Sequence, residues 1–65
     1  MMSIREAVNK AGEVRVIIDY PEHAHFGLRG TCVGVIGQLC FVNWDNGTKS
    51  KIISTYISIE DPTKN

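Results

Sequence analysis

The sequence predicts a small, mainly β domain, a five-stranded β-barrel preceded by a short helix. Three observations lead to this prediction. The chain has only 65 residues, which is enough for one domain. After residue 12 the apolar residues change from helical spacing to the alternation that is typical of half-buried strands. Residues with turn propensity, Gly37-Gln38 and Asn46-Gly47, separate the short apolar runs that follow.

A short helix is predicted within residues 1–12. Ser3 and Glu6 have the spacing of a capping box, and Gly12 suits the left-handed position that ends a helix. One narrow apolar stripe runs along this helix and consists of Ile4, Ala7, Val8 and Ala11. A helix this short is not stable alone in water, so we expect it to dock on the rest of the chain.

The remaining elements follow from the alternation of apolar and polar residues. Strands are predicted at residues 14–19, 31–36, 39–44, 48–53 and 57–60, with a tight helical turn at 54–56. A long loop, residues 19–30, follows the first strand. The barrel therefore spans residues 13–60, and residues 61–65 are predicted to form a polar tail. Closing the sheet would remove the exposed edges that promote aggregation.

The indole of Trp44 decides which face of the sheet is buried. Cys40 and Val42 share its face, whereas Phe41 lies on the opposite one. The isolated Gly34 predicts a bulge that turns Val35 inward. The rest of the predicted interior consists of Cys32, Ile52, Ile57 and Ile59, together with Phe26 and Leu28 from the loop.

Three large apolar side chains, those of Ile17, Val33 and Phe41, are predicted to lie on the outer surface of the sheet. Such a surface is unusual in so small a domain. Two interpretations remain open. The apolar stripe of the helix covers this surface, which we favour because the helix needs a dock, or the surface contacts a second copy or another protein.

Two segments resemble known sequences. Residues 26–32, FGLRGTC, are similar to the glycine turn of SH3-like barrels, including KOW-type domains. Residues 41–47, FVNWDNG, resemble the V-x-W-D-N-G hairpin of small, largely uncharacterised proteins from phages, plasmids and bacterial genomes. The resemblance spans residues 13–60 and implies a small five-stranded SH3-like barrel. The signature of SH3 domains that bind proline-rich peptides is absent.

Composition narrows the class of protein. Seven basic residues balance seven acidic ones, whereas dedicated nucleic-acid binders usually have a basic excess. Two cysteines are too few for a disulfide scaffold. The N-terminus lacks the apolar segment of a signal peptide, and no apolar run approaches the roughly 20 residues of a membrane span. We therefore expect a soluble, cytoplasmic protein with reduced thiols and no membrane association.

The residue types that act as catalytic groups or metal ligands in other proteins do not form such a site in this sequence. His23 and His25 are two residues apart in the loop, which we interpret as surface histidines rather than metal ligands. Cys32 and Cys40 are assigned to the core as small apolar groups, with a redox pair as the alternative. Asp45 is expected to bond backbone N–H groups of its own turn. We therefore predict no catalytic residue, metal, cofactor or small-molecule substrate.

The sequence predicts a small non-catalytic protein-interaction module, an accessory or regulatory protein that binds a larger partner or self-associates. The predicted contact residues are Tyr20, His23, His25, Arg29, Val33 and Phe41. By analogy with KOW-type domains, nucleic-acid binding is the alternative. In that case the aromatic rings of Tyr20, His25 and Phe41 would stack on bases. The phosphates would then be met by Arg29, Lys49 and Lys51.

Overall fold

A computed structural model describes residues 2–60 of the chain as one antiparallel sheet and one helix. The elements in chain order are α1 (Ile4–Ala11), β1 (Val14–Ile18), β2 (Arg29–Ile36), β3 (Leu39–Trp44), β4 (Lys49–Ile53), a 3-10 turn (Ser54–Tyr56) and β5 (Ile57–Ile59). The mainly β class and the predicted order of elements are confirmed. The predicted polar tail, residues 61–65, lies outside the described residues.

The sheet is open, so the prediction of a closed barrel is wrong. The strand order is β4-β3-β2-β1-β5, and β4 and β5 are its two edges. Ile52 of β4 and Ile57 of β5 nevertheless belong to the same core cluster. Joining a core needs only side-chain contact, whereas closure also needs matched backbone registers at both edges. A β5 strand of three residues supplies too little backbone for that.

The helix begins and ends at the predicted residues. The Ser3 Oγ accepts from the N–H of Glu6 at 3.1 Å, and the Glu6 carboxylate accepts from the N–H of Ser3 at 2.9 Å. These bonds lower the pKa of the Glu6 carboxyl, because they favour its charged form. At the other end Gly12 has a φ of 85° and donates its N–H to the carbonyl of Val8. This is the left-handed ending that glycine tolerates best.

The helix does not cover the outer surface, which corrects the interpretation that we favoured. Ala7 is buried, and Ile4 and Val8 pack against the core cluster on the inner side of the sheet. The guanidinium of Arg5 also donates to the carbonyl of Gly37 in the β2–β3 turn. The inner face is a continuous apolar surface, so burying the stripe there removes more apolar area from water than the partly polar outer face would.

The strand register follows the orientation of Trp44, as predicted. Its side chain is only 6% exposed, and the indole N–H donates to the Ser50 hydroxyl at 2.7 Å. The register between β2 and β3 shifts between Cys32 and Gly34, which confirms the predicted bulge. Beyond the bulge, Val35 packs against the core.

Gly30 lies directly against the indole of Trp44. A Cβ at Gly30 would be 2.8 Å from Trp44 Cε3, from Val42 Cγ1 and from the backbone oxygen of Asn43. Such contacts are far shorter than van der Waals distance. Gly30 is therefore required because the ring needs the space that a side chain would fill.

Two predicted core residues are placed differently. Phe26 is 55% exposed, whereas Leu28 packs against the core as predicted. The N–H of Phe26 donates to the carbonyl of His23 in one of several consecutive turns, and this tight path turns the phenyl ring to solvent. Ile59 is half-buried and lies outside the buried cluster. Within residues 2–60, no helix has the length and apolar character needed to cross a bilayer.

Candidate functional site

The outer face of the sheet has two chemically different ends. One end, called here the polar end, consists of Arg15, Arg29, Thr31, Asp45 and Glu60. The other, called here the apolar corner, consists of Ile36, Leu39 and Ile53. Both follow from the strand register, which places the members of each group on neighbouring strands or on the turns beside them.

At the polar end Arg15 contacts both acidic residues. The Arg15 guanidinium donates to both carboxylate oxygens of Asp45, at 2.8 and 2.6 Å, and to the Thr31 hydroxyl at 3.1 Å. Glu60 lies between the two arginines, with its carboxylate oxygens 3.4 Å from Arg15 Nε and 3.5 Å from Arg29 Nε. Two positive and two negative groups therefore pair within the chain.

The pairing favours the charged form of both partners. The hydrogen bond from Arg15 lowers the pKa of the Asp45 carboxyl, and the same bond raises the pKa of the Arg15 guanidinium. The expectation that Asp45 bonds the backbone of its own turn is wrong. Asn46 has that role, because its side-chain oxygen accepts from both the N–H and the hydroxyl of Thr48.

The apolar corner lies at the other end of the face, beside the β2–β3 turn. Leu39 is the direct cross-strand neighbour of both Ile36 and Ile53. Ile36 is 70% exposed, and the other two side chains are each more than a third exposed. The sequence analysis missed this group. The signal was present, since Leu39 has the same strand parity as Phe41 and the two-residue turn at Gly37-Gln38 places Ile36 opposite it.

The predicted outer surface of Ile17, Val33 and Phe41 is only partly exposed. Val33, the extra residue of the bulge, is 44% exposed. Phe41 is half-buried, with its Cδ1 at 4.0 Å from the position that a Cβ on Gly34 would occupy. Ile17 is half-buried as well. The exposed apolar surface is therefore displaced from the middle of the sheet toward the apolar corner, with Val33 and Phe41 beside it.

The loop between β1 and β2 forms a small aromatic cluster. The ring centroid of Tyr56 lies 4.9 Å from that of Tyr20 and 5.7 Å from that of His23. The N–H of His25 donates to Nδ1 of His23 at 3.0 Å. Tyr20, His23 and His25 are thus connected through neighbouring rings. Tyr56 was not singled out, because it reaches the cluster from the far end of the chain.

The six predicted contact residues therefore fall in three places. Tyr20, His23 and His25 belong to the loop cluster, and Arg29 belongs to the polar end. Val33 and Phe41 adjoin the apolar corner. The six residues do not form one surface, although the last two lie close to the largest group of exposed aliphatic side chains in the described chain.

The cysteines and histidines form no metal site in the part of the chain that the structure describes, where no three His, Cys, Asp or Glu side chains come together as ligands. Cys32 and Cys40 are free thiols with no exposed surface. Burial raises the pKa of Cys40 to about 11, so its reactive thiolate form is scarce at neutral pH. Both belong to the core cluster, as predicted.

Two concave regions accompany these surfaces. The larger, about 410 Å³, lies between α1 and the start of β1. Its lining is mainly apolar, and its two charged residues, Arg15 and Glu60, are paired with each other. The second is a groove of about 360 Å³ along β3 and β4, with Phe41, Asn43, Lys49 and Lys51 in its lining.

The comparisons with known proteins add no relative. No family model matches this chain, and no curated protein or solved structure matches it either.

Proposed function

We propose that this chain is a non-catalytic protein-interaction module that contacts its partner through the apolar corner, with Val33 and Phe41 as neighbouring contacts. The observation that supports the proposal is the exposure of three aliphatic side chains, those of Ile36, Leu39 and Ile53, that are direct cross-strand neighbours. Burying such a group stabilises a complex by about 25 cal/mol for each Å² removed from water.

The surroundings of the corner suit a protein partner. An interface typically has an apolar centre within a polar rim. Here Gln38 and Lys51 are exposed polar residues next to the corner, on the turn and on the neighbouring strand. The apolar group is small, so the complex belongs to the weaker, transient class rather than to permanent dimers.

The kinship with SH3-like domains and the cytoplasmic location are also proposals. The kinship rests on the glycine turn and the W-D-N-G hairpin in the sequence, together with a last strand that pairs with the first. The cytoplasmic location rests on the two cysteines, which form no disulfide in the described chain.

Nucleic-acid binding is the second candidate, because one groove combines the Phe41 ring with Lys49 and Lys51. Fewer observations support nucleic-acid binding than support a protein partner. Tyr20 and His25, the other two predicted stacking residues, lie in the loop cluster. Arg29 is 3.5 Å from a Glu60 oxygen, and the net charge is zero, whereas phosphate contacts supply most non-specific affinity.

The experiment is a capture of partner proteins from cells of the source organism with three matched baits. These are the unmodified chain, an Ile36→Asp/Ile53→Asp variant of the corner, and Phe26→Asp. Phe26 is the control because it is a large apolar residue in the loop whose exposure, 55%, lies between those of Ile36 and Ile53. Circular dichroism first verifies that all three are folded.

We expect the same partner with the unmodified chain and with Phe26→Asp, and at least about tenfold less of it with the corner variant, which corresponds to about 1.4 kcal/mol. Equal recovery with all three baits, or loss with Phe26→Asp alone, would contradict the proposal. Recovery of nucleic acid that a nuclease removes would favour the second candidate.

A further inference from the structure

The β4 strand is an edge of the sheet, and its hydrogen bonds show which of its backbone groups face β3 and which face outward. Trp44 donates its N–H to the Thr48 carbonyl at 2.8 Å, and Ser54 donates to the Gln38 carbonyl at 2.9 Å. In an antiparallel strand, the backbone N–H and C=O groups of successive residues point alternately to one side of the strand and to the other. The N–H and C=O groups of Ser50 and Ile52 therefore also face β3. Those of Lys49, Lys51 and Ile53 face away from the sheet.

These outward groups are available to another strand. Among residues 2–60 no backbone hydrogen bond to a neighbouring segment involves Lys49, Lys51 or Ile53 from the open side. An extended peptide that pairs with such an edge gains main-chain hydrogen bonds, and its alternate side chains contact the flanking surface. The groove of about 360 Å³ along β3 and β4 lies beside this edge.

The charges on this edge indicate the chemistry of the incoming strand. Lys49 and Lys51 make no salt bridge with any acidic residue between positions 2 and 60. The two arginines of the polar end, in contrast, are each paired. Two unpaired ammonium groups two residues apart in one strand suit two acidic side chains at the same spacing, roughly 7 Å, on a neighbouring strand.

A second copy of β4 does not fit this edge. If two antiparallel β4 strands paired through all three outward residues, Lys51 of each would lie opposite Lys51 of the other. Like charges directly opposite each other are destabilising. Lysines are a common means of preventing edge strands from pairing with copies of themselves. The same two lysines attract a strand of opposite charge.

We propose that β4 accepts an extended acidic segment of a partner protein as a sixth, antiparallel strand. The partner places acidic side chains beside Lys49 and Lys51 and an apolar side chain beside Ile53, which belongs to the apolar corner. The inference deepens the proposed function and rests on it, because it names the binding mode and the chemistry of the partner at the same surface.

The test uses a capped peptide with the sequence isoleucine-valine-glutamate-threonine-glutamate, titrated into the isotopically labelled full chain. Its first, third and fifth residues would lie opposite Ile53, Lys51 and Lys49. We expect progressive amide shifts at these three residues with an affinity of about 1 mM, the range of a short, weak ligand. The loop cluster at Tyr20 and His23 should not shift.

Two controls separate strand pairing from simple charge attraction. Methylating the backbone nitrogen of the third peptide residue removes a donor aimed at Lys51, so we expect binding to be lost. Methylating the fourth residue alters a group that points away, so binding should remain. Lys51→Glu should weaken the acidic peptide about fivefold, the effect of one exposed charge pair. It should in turn bind a peptide in which lysine replaces only the glutamate opposite position 51.

Several outcomes would overturn this inference. They are the absence of shifts at millimolar peptide, equal binding of both methylated peptides, and stronger shifts of the same residues with an oligonucleotide. A light-scattering mass of a dimer that Lys51→Glu abolishes would assign the edge to a second copy. If the peptide fails while the corner variant still loses its captured partner, the strand-pairing mode is wrong and the proposed function stands.

Discussion

The two ends of the outer face differ in whether their side chains have partners within the chain. At the polar end Arg15 contacts both Asp45 and Glu60, so the charged groups there are paired within the chain. At the apolar corner, Ile36 remains largely in water, and Leu39 and Ile53 are each more than a third exposed. A balanced net charge therefore does not mean that the surface is uniform. The charges at the polar end are paired, and the exposed apolar side chains are concentrated at the apolar corner.

The largest effect at the two ends is expected at Gly30, where the indole of Trp44 occupies the space that a side chain would fill. We expect Gly30→Ala to destabilise the protein by about 3 kcal/mol or more, since overpacking a tight core forces side chains and backbone to move. For a chain this small that is most of the folding free energy, roughly 3–5 kcal/mol. Urea unfolding monitored by Trp44 fluorescence measures it.

Gly34, in the same strand but beside the apolar corner, is the matched control. A Cβ there would meet only Phe41 Cδ1, at 4.0 Å. We expect Gly34→Ala to change stability by less than about 1 kcal/mol, within the range of unstrained glycine replacements. Similar losses for the two alanine variants would contradict the placement of the indole against Gly30.

A smaller effect is expected at Ser50, which accepts the indole hydrogen bond of Trp44. Ser50→Ala should cost about 1 kcal/mol, because it leaves the partly buried N–H without its partner. Ser58→Ala is the control. Its hydroxyl donates to Asp19 at an exposed site, where water replaces the bond. Equal losses of thermal stability in the two alanine variants would show that the indole N–H finds another partner.

The ion pair at the polar end predicts a pH dependence. Arg15 lowers the pKa of Asp45 below its ordinary value of 3.8, so the stability from this pair is fully present above about that pH. It is lost as the pH falls through the lowered native pKa. We expect Arg15→Gln to lose little stability, because the pair is about half exposed. Its unfolding free energy should also depend less on acid between pH 6 and pH 2, and an unchanged dependence would contradict the pairing.

The smallest effect on stability is expected at the apolar corner. Because Ile36 is already mostly in water, Ile36→Ser should change the free energy of unfolding by no more than about 0.5 kcal/mol. The same substitution at Ile18, a fully buried core residue, should prevent folding. A loss above about 1 kcal/mol for Ile36→Ser would show that the corner is packed against this chain and is not a free surface.

Features that depend on neighbours in sequence were predictable. The caps of α1 at Ser3 and Gly12, the 3-10 turn and the β2 bulge at Gly34 each follow from local residue types. The parity of the strands followed from Trp44, since one large ring determines the burial of a whole strand.

Features that depend on distant segments were not predictable. Whether β4 and β5 meet, and which face α1 covers, depends on packing between elements that the strand pattern does not encode. The pairing of Arg15 with Asp45 joins residues 30 positions apart, so local turn chemistry pointed instead to the backbone. The apolar corner, in contrast, was predictable, because Leu39 has the same strand parity as Phe41.

The most direct test of the central claim is site-specific photo-crosslinking in cells of the source organism, with a benzophenone side chain at position 36 or at position 26. Both positions are exposed, so the probe fits without disturbing the fold. The account predicts a discrete crosslinked protein from position 36, in the apolar corner, and none from position 26, in the loop. A crosslink from position 26 with none from position 36 would contradict it.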